Sequence, residues 1–276
     1  MKKKLKRSPL IIMLFFVFLI SCGGEMEQKS VTYSSLKDIP DAAWEKLSKK
    51  KIYFGHQSVG FNIIDGVKDL MKEYPKIKLN IVETSDSKDF SSGVFAHSTI
   101  GTNTNPKSKI DEFASFIDKG IGAKADTAAM KLCYIDIRDD TNIVDIFNRY
   151  KTETDEIKQK YPSLTIVHFT APLVKRQTGI KAWIKKIIGK PISGIDDNIK
   201  RNEFNDLLRN EYQGKSPVFD IATLESTHLD GIRSTFEKNG TTYYAMAPEY
   251  TYDDGHLNQQ GGMIVAENLL IMLAEL

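Results

Sequence analysis

Residues 51–70 read KIYFGHQSVGFNIIDGVKDL, in which a short apolar run is followed by apolar residues at helical spacing. Residues 51–54 predict a β-strand, and the spacing of the apolar residues in 59–70 predicts one face of an α-helix. Residues 78–82 then form a second strand-like run. The order strand, helix, strand is typical of two parallel strands joined by a helical crossover.

The alternation of strands and helices continues toward the end of the chain. Further strands are predicted at residues 131–137 (the strongest apolar run), 164–169 and 217–221, and helices after Pro106 and over residues 143–160, 195–212 and 260–273. Five short apolar strands separated by helices predict one α/β domain, a three-layer α/β/α sandwich around a parallel sheet. In such sheets ligands bind at the carboxyl ends of the strands, so functional residues are expected there.

The N-terminus has the pattern of a secretory signal. Residues 1–7 are rich in lysine and arginine, residues 10–20 are almost entirely apolar, and Ser21 and Cys22 follow. The apolar run is shorter than the roughly 20 residues that span a bilayer, which favours cleavage over insertion. Residues 19–22, LISC, resemble the lipobox of bacterial lipoproteins, in which the cysteine receives a diacylglycerol and the chain is cut before it.

This resemblance implies a signal peptide over residues 1–21 and a lipid on Cys22 that anchors the chain to a membrane. The expected location is the cell envelope, with the folded part exposed to the periplasm or the cell exterior. The alternative is an ordinary signal peptide that contains a cysteine. Residues 22–40 predict a polar tether, and residues 41–276 predict the folded domain.

Charge and cysteine content argue against a nucleic-acid-binding protein and against a fold held by a disulfide. Without residues 1–21 the chain keeps 33 Lys and Arg against 36 Asp and Glu, a net charge of −3. The basic character therefore belongs to the targeting segment, and no nucleic-acid partner is expected. Cys133 is the only cysteine besides Cys22, so no intramolecular disulfide is expected once Cys22 carries a lipid.

A serine lies at the turn between the first strand and the first helix. Residues 55–60 read GHQSVG and place the Ser58 hydroxyl at a helix N-terminus, among backbone N–H groups that lack helical partners. A developing oxyanion would be stabilised there. Serine is also a preferred N-cap of any helix, so a purely structural cap is the alternative to a nucleophile.

A candidate partner for this serine precedes the last predicted helix, where residues 253–258 read DDGHLN. Asp253 and His256 are three residues apart and can meet across one turn. The carboxylate can then hold the imidazole Nδ1–H and leave Nε2 free to take a proton from a serine, as in a catalytic triad. The alternative is a polar loop in which Asn258 caps the last helix without any catalytic role.

With these two motifs near its ends, the chain resembles the SGNH or GDSL hydrolases, whose nucleophilic serine follows the first strand and whose Asp-x-x-His precedes the last helix. The resemblance covers residues 50–276 in the order of elements and implies a flavodoxin-like three-layer fold. It implies that Ser58 is the nucleophile, His256 the general base and acid, and Asp253 the residue that orients His256. The implied reaction is hydrolysis of a small-molecule or glycan ester, such as a carbohydrate O-acyl or lipid ester, through an acyl-enzyme and without a cofactor.

Two features depart from this family. Residues 55–58, GHQS, stand where the family usually has Gly-Asp-Ser, and the predicted third strand ends in Asp136 where the family has an asparagine. An ionised aspartate cannot donate a hydrogen bond to an oxyanion. Replacement donors are sought at Gly93 and between residues 101 and 105, where Gly101 and Asn103 rank first. A tight turn without catalytic role is the alternative for these residues.

Two other readings of the site remain open. His56, His97 and His228 could join His256 and Asp253 in a divalent-metal site, but only the last two have a spacing typical of metal ligands, and no metal is expected. The chain could also be a catalytically degenerate lipoprotein on the same scaffold that binds glycan or lipid.

Two segments interrupt the alternation. Residues 174–194 are basic and contain Trp183, and residues 222–252 contain a predicted hairpin with Asn-Gly at 239–240. Both are long enough to shape a pocket. Trp183 and the surrounding lysines could face substrate or lipid headgroups, although a solvated amphipathic surface is the interpretation that we favour.

Overall fold

A computed structural model describes residues 33–276. The predicted signal peptide, Cys22 and the rest of the predicted tether up to residue 32 lie outside the described residues. No helix in residues 33–276 combines the length and the apolar character that crossing a membrane requires.

A six-stranded parallel sheet forms the centre of the fold. Its strands are β1 (Lys51–His56), β2 (Ile81–Glu83), β3 (Val94–Thr99), β4 (Thr127–Met130), β5 (Thr165–Phe169) and β6 (Val218–Phe219). They lie in the order β2-β3-β1-β4-β5-β6, and every neighbouring pair is parallel. The chain places β2 and β3 on one side of β1 and β4 to β6 on the other, and in open α/β sheets ligands bind beyond the carboxyl ends of the strands at such a reversal.

Helices cover both faces of the sheet. In the described part of the chain they are α1 (Asp41–Lys49), α2 (Val59–Glu73), α3 (Pro106–Phe116), α4 (Ile143–Lys160), α5 (Gly179–Ile187), α6 (Asp196–Tyr212), α7 (Ile221–Ser226) and α8 (Gln259–Glu275). Helices α1, α2 and α8 contribute to one core, and α3, α4 and α6 to the other. Ile52 and Phe54 of β1 face the first core and Tyr53 the second, as the two-residue period of a strand requires. The predicted three-layer α/β/α sandwich is confirmed.

The structure differs from the prediction at two strands. Strand β3 pairs with β1 along its whole length, although its sequence VFAHST mixes apolar and polar residues. The prediction of a strand over residues 131–137 is wrong, because the ladder ends with β4. The Lys131 N–H donates to the Gly55 carbonyl at the end of the ladder, and the Asp136 carboxylate then accepts the Cys133 N–H at 2.6 Å, which turns the backbone away from the sheet.

The packed chain begins earlier than predicted. Residues 33–40 fall in the predicted tether, yet Leu36 and Ile39 are buried in the core that contains α8. The Tyr33 N–H also donates to the Glu275 carboxylate at 2.8 Å. The folded unit therefore includes residues 33–40.

The two interrupting segments fold differently. Residues 174–194 contain the helix α5, and residues 222–252 contain an antiparallel pair formed by β7 (Thr235–Lys238) and β8 (Thr241–Tyr244). The Asn-Gly pair at 239–240 joins these strands with φ angles of 53° and 78°, the left-handed conformation that two-residue hairpin turns require. The predicted hairpin is confirmed.

Candidate active site

Ser58 lies at a strained turn between β1 and α2. Its φ of 53° and ψ of −110° fall in a sparsely populated region, which costs a non-glycine residue on the order of 1–3 kcal/mol. The hydroxyl makes no capping hydrogen bond to α2, so Ser58 is not an ordinary N-cap. The Ser58 Oγ atom instead contacts the loop that precedes α8.

Buried side chains hold this turn from beneath. A Cβ atom at Gly60 would lie 2.3 Å from the His56 ring, so only glycine fits there. The buried His56 ring is itself held by His97, whose Nδ1 lies 3.1 Å from His56 Nε2. The Cys133 thiol donates to the Gln57 carbonyl at 3.4 Å. These contacts fix the backbone on both sides of the serine.

His56 supports the turn as a neutral group. Burial, with smaller contributions from Lys131 and His97, lowers the pKa of His56 to about 2. Its Nδ1 has no hydrogen-bond partner among the described residues. An imidazole that stays neutral and points into the core packs against the turn and is not placed to act as a base.

Asp253 and His256 complete a chain of hydrogen bonds that begins at Ser58. The Ser58 Oγ and His256 Nε2 atoms are 2.5 Å apart, a short hydrogen bond between residues 198 positions apart in the sequence. His256 Nδ1 and Asp253 Oδ2 are 2.6 Å apart, and Asp253 Oδ1 accepts the His256 backbone N–H at 2.7 Å. The structure thus brings together the three residues that the sequence motifs indicate.

The charge of Asp253 determines which nitrogen of His256 carries the proton. Partial burial would raise the pKa of Asp253, but hydrogen bonds from the His256 backbone, the His256 ring and the Gly255 N–H outweigh burial and lower that pKa. An ionised carboxylate can only accept, so Nδ1 of His256 must donate to it. Nε2 then presents its lone pair to Ser58, as proton transfer from the hydroxyl requires.

Neighbouring loops position His256. The Tyr134 ring packs edge-on against the His256 ring, with centroids 5.6 Å apart. A Cβ atom at Gly255 would lie 2.7 Å from the Tyr134 ring, so glycine permits this close approach. Asn258 caps α8 by accepting the Gly261 N–H at 3.0 Å. Because Asn258 supplies the cap, neither Asp253 nor His256 is needed to cap α8.

The predicted oxyanion residues Gly101 and Asn103 lie in the loop after β3. The Gly101 N–H already donates to Glu112 Oε2 at 2.5 Å. The side-chain oxygen of Asn103 accepts from the Lys109 ammonium group at 2.8 Å. Because an ammonium group only donates, this contact identifies the oxygen of the Asn103 amide and leaves its NH2 group as a donor. The geometry therefore favours Asn103 over Gly101.

A buried ion pair orients this loop. The Lys109 and Asp136 side chains are fully buried, and their charged atoms are 2.6 Å apart. Asp136 also accepts the Thr104 N–H at 2.9 Å and the Cys133 N–H at 2.6 Å. Removing one partner of a buried pair costs roughly 3–5 kcal/mol. The pair ties the loop after β3 to the loop after β4, whose Cys133 supports the turn at Ser58.

The other candidate donors to an oxyanion are Gly93 and the backbone N–H groups at the serine turn. Gly93 precedes β3 at the amino end of the sheet, where a Cβ atom on it would lie 2.2 Å from the Ser48 carbonyl oxygen, so it lies away from the serine. The Ser58 and Val59 N–H groups donate to no acceptor within residues 33–276. Free backbone N–H groups beside a nucleophile are suited to an oxyanion.

A groove of about 360 Å³ opens beside the loop that precedes α8. Tyr134, Asp253 and Gly255 line it together with charged side chains of both signs: Arg138, Lys175, Arg201, Asp197 and Asp254. The volume is within the range of small-molecule sites, roughly 300–1,000 Å³. The groove therefore offers a space lined by charged side chains next to Asp253.

The histidines do not converge on one point. The pairs are His56 with His97, His168 with Tyr150, His228 with Glu249 and His256 with Asp253. Across residues 33–276, no three or more His, Cys, Asp or Glu side chains are grouped so that they could hold a metal ion.

Several residues that support the candidate site could not be identified from the sequence. The Gln57 side-chain amide donates to the Ile100 and Gly101 carbonyls at 2.7 and 2.5 Å, which joins the serine turn to the loop after β3. The Lys109–Asp136 pair joins residues 27 positions apart. The only sequence signal for such a network is a charged residue inside an apolar run, as at Asp136.

Comparison with known proteins gives structural likeness at low identity. No protein-family model and no curated protein matches the chain. A GDSL-like lipase from Bacteroides thetaiotaomicron VPI-5482 is 12% identical, with 82% of this chain and 89% of that chain covered and a TM-score of 0.48. The periplasmic domain of a lipopolysaccharide acetyltransferase from Salmonella ser. Paratyphi A is 13% identical, with 81% and 85% covered and a TM-score of 0.45. An acetyl esterase mutant with an acetate ion is 12% identical, with 81% and 96% covered and a TM-score of 0.43. The chemistry of the site is therefore inferred from its own geometry.

Proposed function

We propose that this chain is a serine hydrolase that cleaves carboxylic esters. Ser58 acts as nucleophile, His256 as general base and acid, and Asp253 as the group that orients His256. The observation that carries the proposal is the unbroken hydrogen-bond chain from Ser58 Oγ through the His256 ring to Asp253. A nucleophile, a base and an orienting acid in this order are the arrangement required for covalent acyl transfer.

The reaction begins when His256 Nε2 takes the hydroxyl proton of Ser58 as Oγ bonds to the ester carbonyl carbon. The tetrahedral intermediate collapses as its bond to the alcohol oxygen breaks, and His256 returns the proton to that oxygen. Water then attacks the carbonyl carbon of the acyl-serine while His256 removes its proton. The bond between that carbon and Ser58 Oγ breaks, and His256 returns the proton to Oγ as the acid departs. Asp253 stays ionised and stabilises the imidazolium in both steps.

The intermediate oxyanion requires hydrogen-bond donors. The donors that we propose are the Ser58 backbone N–H, which has no acceptor within residues 33–276, and the Asn103 NH2 group, which Lys109 orients. Loss of one such donor lowers kcat by about 10²- to 10³-fold. Asn103→Ala should therefore reduce hydrolysis by this factor, whereas Asn105→Ala, which removes only the cap of α3, should leave kcat within a few fold.

The groove indicates a polar substrate. Charged side chains such as Arg138, Lys175 and Asp197 would lose hydration against a fatty chain without gaining hydrogen bonds. An ester with a polar alcohol portion, such as an O-acylated carbohydrate, fits this lining better. The Asp253 and His256 side chains are 40% and 30% exposed, so water can reach the acyl-enzyme, which favours hydrolysis over transfer to another alcohol.

The proposed place of action is the cell envelope, with the chain anchored through a lipid on Cys22. This part of the proposal rests on the sequence of residues 1–22, which lie outside the described residues. Mass spectrometry of the N-terminal peptide from membranes tests it, with Cys22→Ser as the control. A mature N-terminus without a diacylglycerol on residue 22 would contradict it.

A fluorophosphonate probe tests the nucleophile. The chain from residue 23 onward retains every residue of the described fold, and we expect covalent label at Ser58 that Ser58→Ala and His256→Ala both abolish. His228→Ala is the matched control, because His228 also pairs with a carboxylate, Glu249 at 2.7 Å, but has no serine partner within residues 33–276. This variant should be labelled like the parent chain.

Hydrolysis of O-acetylated sugars and of a p-nitrophenyl ester should follow the same pattern. Folded protein that neither takes the label nor releases acetate would contradict the hydrolase proposal. That outcome would support the degenerate binding lipoprotein, and glycan binding would then be the quantity to measure.

A further inference from the structure

The helix α5 turns its apolar face away from the rest of the fold. Four large apolar residues recur at the three- and four-residue spacing that places side chains on one side of a helix: Ile180, Trp183, Ile184 and Ile187. Between 45% and 76% of the surface of each is exposed. Ala182 lies on the opposite side and is the one residue of α5 that is buried. The helix thus rests on the protein by its small side and presents its large apolar side to the surroundings.

Basic residues flank this apolar face. Residues 174–194 contain six lysines and arginines and no aspartate or glutamate, in a chain whose overall charge is close to neutral. Lys175 pairs with Asp254, whereas Arg176 and the four lysines on and directly after α5 have no ion pair within residues 33–276. Lys181 and Lys186 lie on either side of the apolar stripe, and Lys185 lies nearer the side of Ala182. The surface is therefore apolar in the centre and positive at its margins.

An exposed apolar face of this kind is uncommon on a soluble surface. Contiguous apolar patches with a polar rim usually mark a contact with a protein or a membrane. A helix with lysines on one face and tryptophan and isoleucine on the other is typical of segments that lie in the interface of a bilayer. Tryptophan in particular is enriched at the headgroup level of membranes.

We propose that α5 docks on the surface of an anionic lipid bilayer. Ile180, Trp183, Ile184 and Ile187 enter the boundary between headgroups and acyl chains, and the flanking lysines contact phosphate groups. Charge complementarity selects this occupant over a second copy of the chain. Two copies that paired through α5 would bring two segments without a single acidic residue against each other, and like charges repel across an interface.

Docking would also set the orientation of the groove beside the base. Val174, Lys175, Ser193 and Gly194, which begin and end the segment that contains α5, line that groove. With α5 on a membrane, the groove opens next to the lipid surface. On the basis of the proposed function, the substrate is then an ester carried by a membrane-borne molecule, whose polar part reaches the groove from the headgroup layer.

Trp183 provides a direct signal for docking. The sequence has two tryptophans, and Trp44 is 5% exposed whereas Trp183 is 64% exposed. The chain from residue 23 onward should be mixed with vesicles of phosphatidylcholine and phosphatidylglycerol, and with vesicles of phosphatidylcholine alone. We expect a blue shift of tryptophan emission and co-sedimentation with the anionic vesicles, both weakened by salt. Trp183→Phe should keep co-sedimentation and lose the blue shift.

Matched variants separate charge from apolar contact. The triple change Lys181→Gln, Lys185→Gln and Lys186→Gln should weaken binding to anionic vesicles by about tenfold or more. The control removes three exposed lysines that lie outside α5 and have no ion pair within residues 33–276, namely Lys37→Gln, Lys119→Gln and Lys215→Gln, and should bind within about twofold of the parent.

A second pair of variants tests insertion of the apolar face. Ile184→Ser with Ile187→Ser should also lower vesicle binding by about tenfold, whereas Val144→Ser, at a valine of α4 that is 54% exposed, should not. Equal binding by the α5 variants and their controls would overturn the proposal. A second result would also overturn it, namely that the chain sediments as a dimer without vesicles and that the two isoleucine changes dissociate this dimer. The α5 face would then be a contact between two copies of the chain.

Docking and catalysis can fail independently. Ser58→Ala lacks the proposed nucleophile and should bind vesicles like the parent chain. The lysine variant should hydrolyse a soluble p-nitrophenyl ester at the parental rate and lose activity only toward an ester embedded in anionic vesicles. Parental hydrolysis of the embedded ester by this variant would contradict the inferred orientation of the groove, whatever the outcome for the nucleophile.

Discussion

The two halves of the proposed triad are held in different ways. Ser58 belongs to a turn between a central strand and a helix that packs along α8, and its support is buried. Asp253 and His256 belong to a loop in which their side chains are 40% and 30% exposed, and hydrogen bonds fix their positions. Packing in the core holds Ser58 in place, whereas local hydrogen bonds hold Asp253 and His256.

This difference indicates where substitutions should act. Changes beneath Ser58 should reduce the free energy of unfolding together with activity, because they alter packed groups. Changes to the side chains of Asp253 and His256 should reduce activity with a smaller loss of stability, because these side chains are partly exposed and their contacts are local hydrogen bonds.

The largest effect is expected at Ser58 itself. Ser58→Ala and Ser58→Gly should both lower kcat by roughly 10⁴- to 10⁶-fold, since both remove the nucleophile. Glycine accepts a φ of 53°, so the glycine variant should be more stable than the alanine variant by about 1 kcal/mol. Ester hydrolysis and urea unfolding measure the two quantities. Equal stability of the two variants would contradict strain at this turn.

Asp253→Asn is expected to have the next largest effect, with kcat lowered by about 10⁴-fold. The neutral amide no longer holds the proton of His256 on Nδ1, so Nε2 loses the lone pair that faces Ser58. Asp254→Asn is the matched control, because Asp254 contacts Lys175 at 2.5 Å and not His256. It should change kcat by less than about tenfold. Similar losses in both variants would indicate a general disturbance of the loop.

A pH dependence is expected from a buried carboxyl group that belongs to neither half. Glu225 of α7 is fully buried, and its Oε2 accepts the Leu173 N–H at 2.9 Å while Oε1 has no partner among the described residues. Burial raises the pKa of Glu225 from 4.5 to about 8. Between these values the native state keeps the proton and the unfolded chain releases it. Stability should therefore be complete below pH 4.5 and fall as pH rises toward 8, in total by an amount on the order of 5 kcal/mol.

Glu225→Gln should remove this fall, because the amide stays neutral at every pH. The free energy of unfolding, measured by urea between pH 4.5 and 8, should then vary less in the variant than in the parent. Glu237→Gln is the control at an exposed glutamate of β7 and should leave the parental pH profile unchanged. A parental profile that is already flat would contradict a raised pKa at Glu225.

The smallest of these effects concerns two glycines, one in each half. Gly60→Ala forces a Cβ atom to within 2.3 Å of the buried His56 ring and should lower the free energy of unfolding by roughly 1–3 kcal/mol. Gly255→Ala meets the Tyr134 ring at 2.7 Å, but that ring borders the open groove and can move. It should lower kcat with a smaller loss of stability. Thermal unfolding measures the stability of both variants. A larger loss of stability in Gly255→Ala than in Gly60→Ala would contradict the difference between the two halves.

The proposed triad could be predicted from sequence because two short motifs carry it. Residues 55–60 place Ser58 at the turn after the first strand, Asp253 and His256 have the spacing of an orienting acid and a base, and the resemblance to the SGNH or GDSL hydrolases matches the two motifs. The prediction was wrong at residues 131–137, most of which are buried without a strand partner, although Ile135 is exposed. Hydrophobicity reports burial and does not by itself distinguish a strand from a buried loop.

The remaining parts of the site depend on contacts between distant residues. Nothing in the local sequence of Asn103 indicates that Lys109 fixes its amide or that Asp136 holds Lys109 in place. The exposure of α5 is equally hidden, since its apolar periodicity would also fit a helix packed into the core. In both cases the sequence specifies the residue types, and only the tertiary arrangement decides what they face.

Cys133, which donates its thiol beneath the serine turn, makes the protein convenient for site-selective labelling. It is buried, and in a chain that begins at residue 23 it is the only native cysteine. A cysteine introduced at Ile187 would be the one exposed thiol open to a fluorophore or a spin label, so the depth and tilt of α5 on a vesicle could be followed without replacing Cys133. Alkylation of Cys133 under native conditions would instead report local opening of the fold. The buried residues beneath Ser58 must separate before a reagent can reach this thiol.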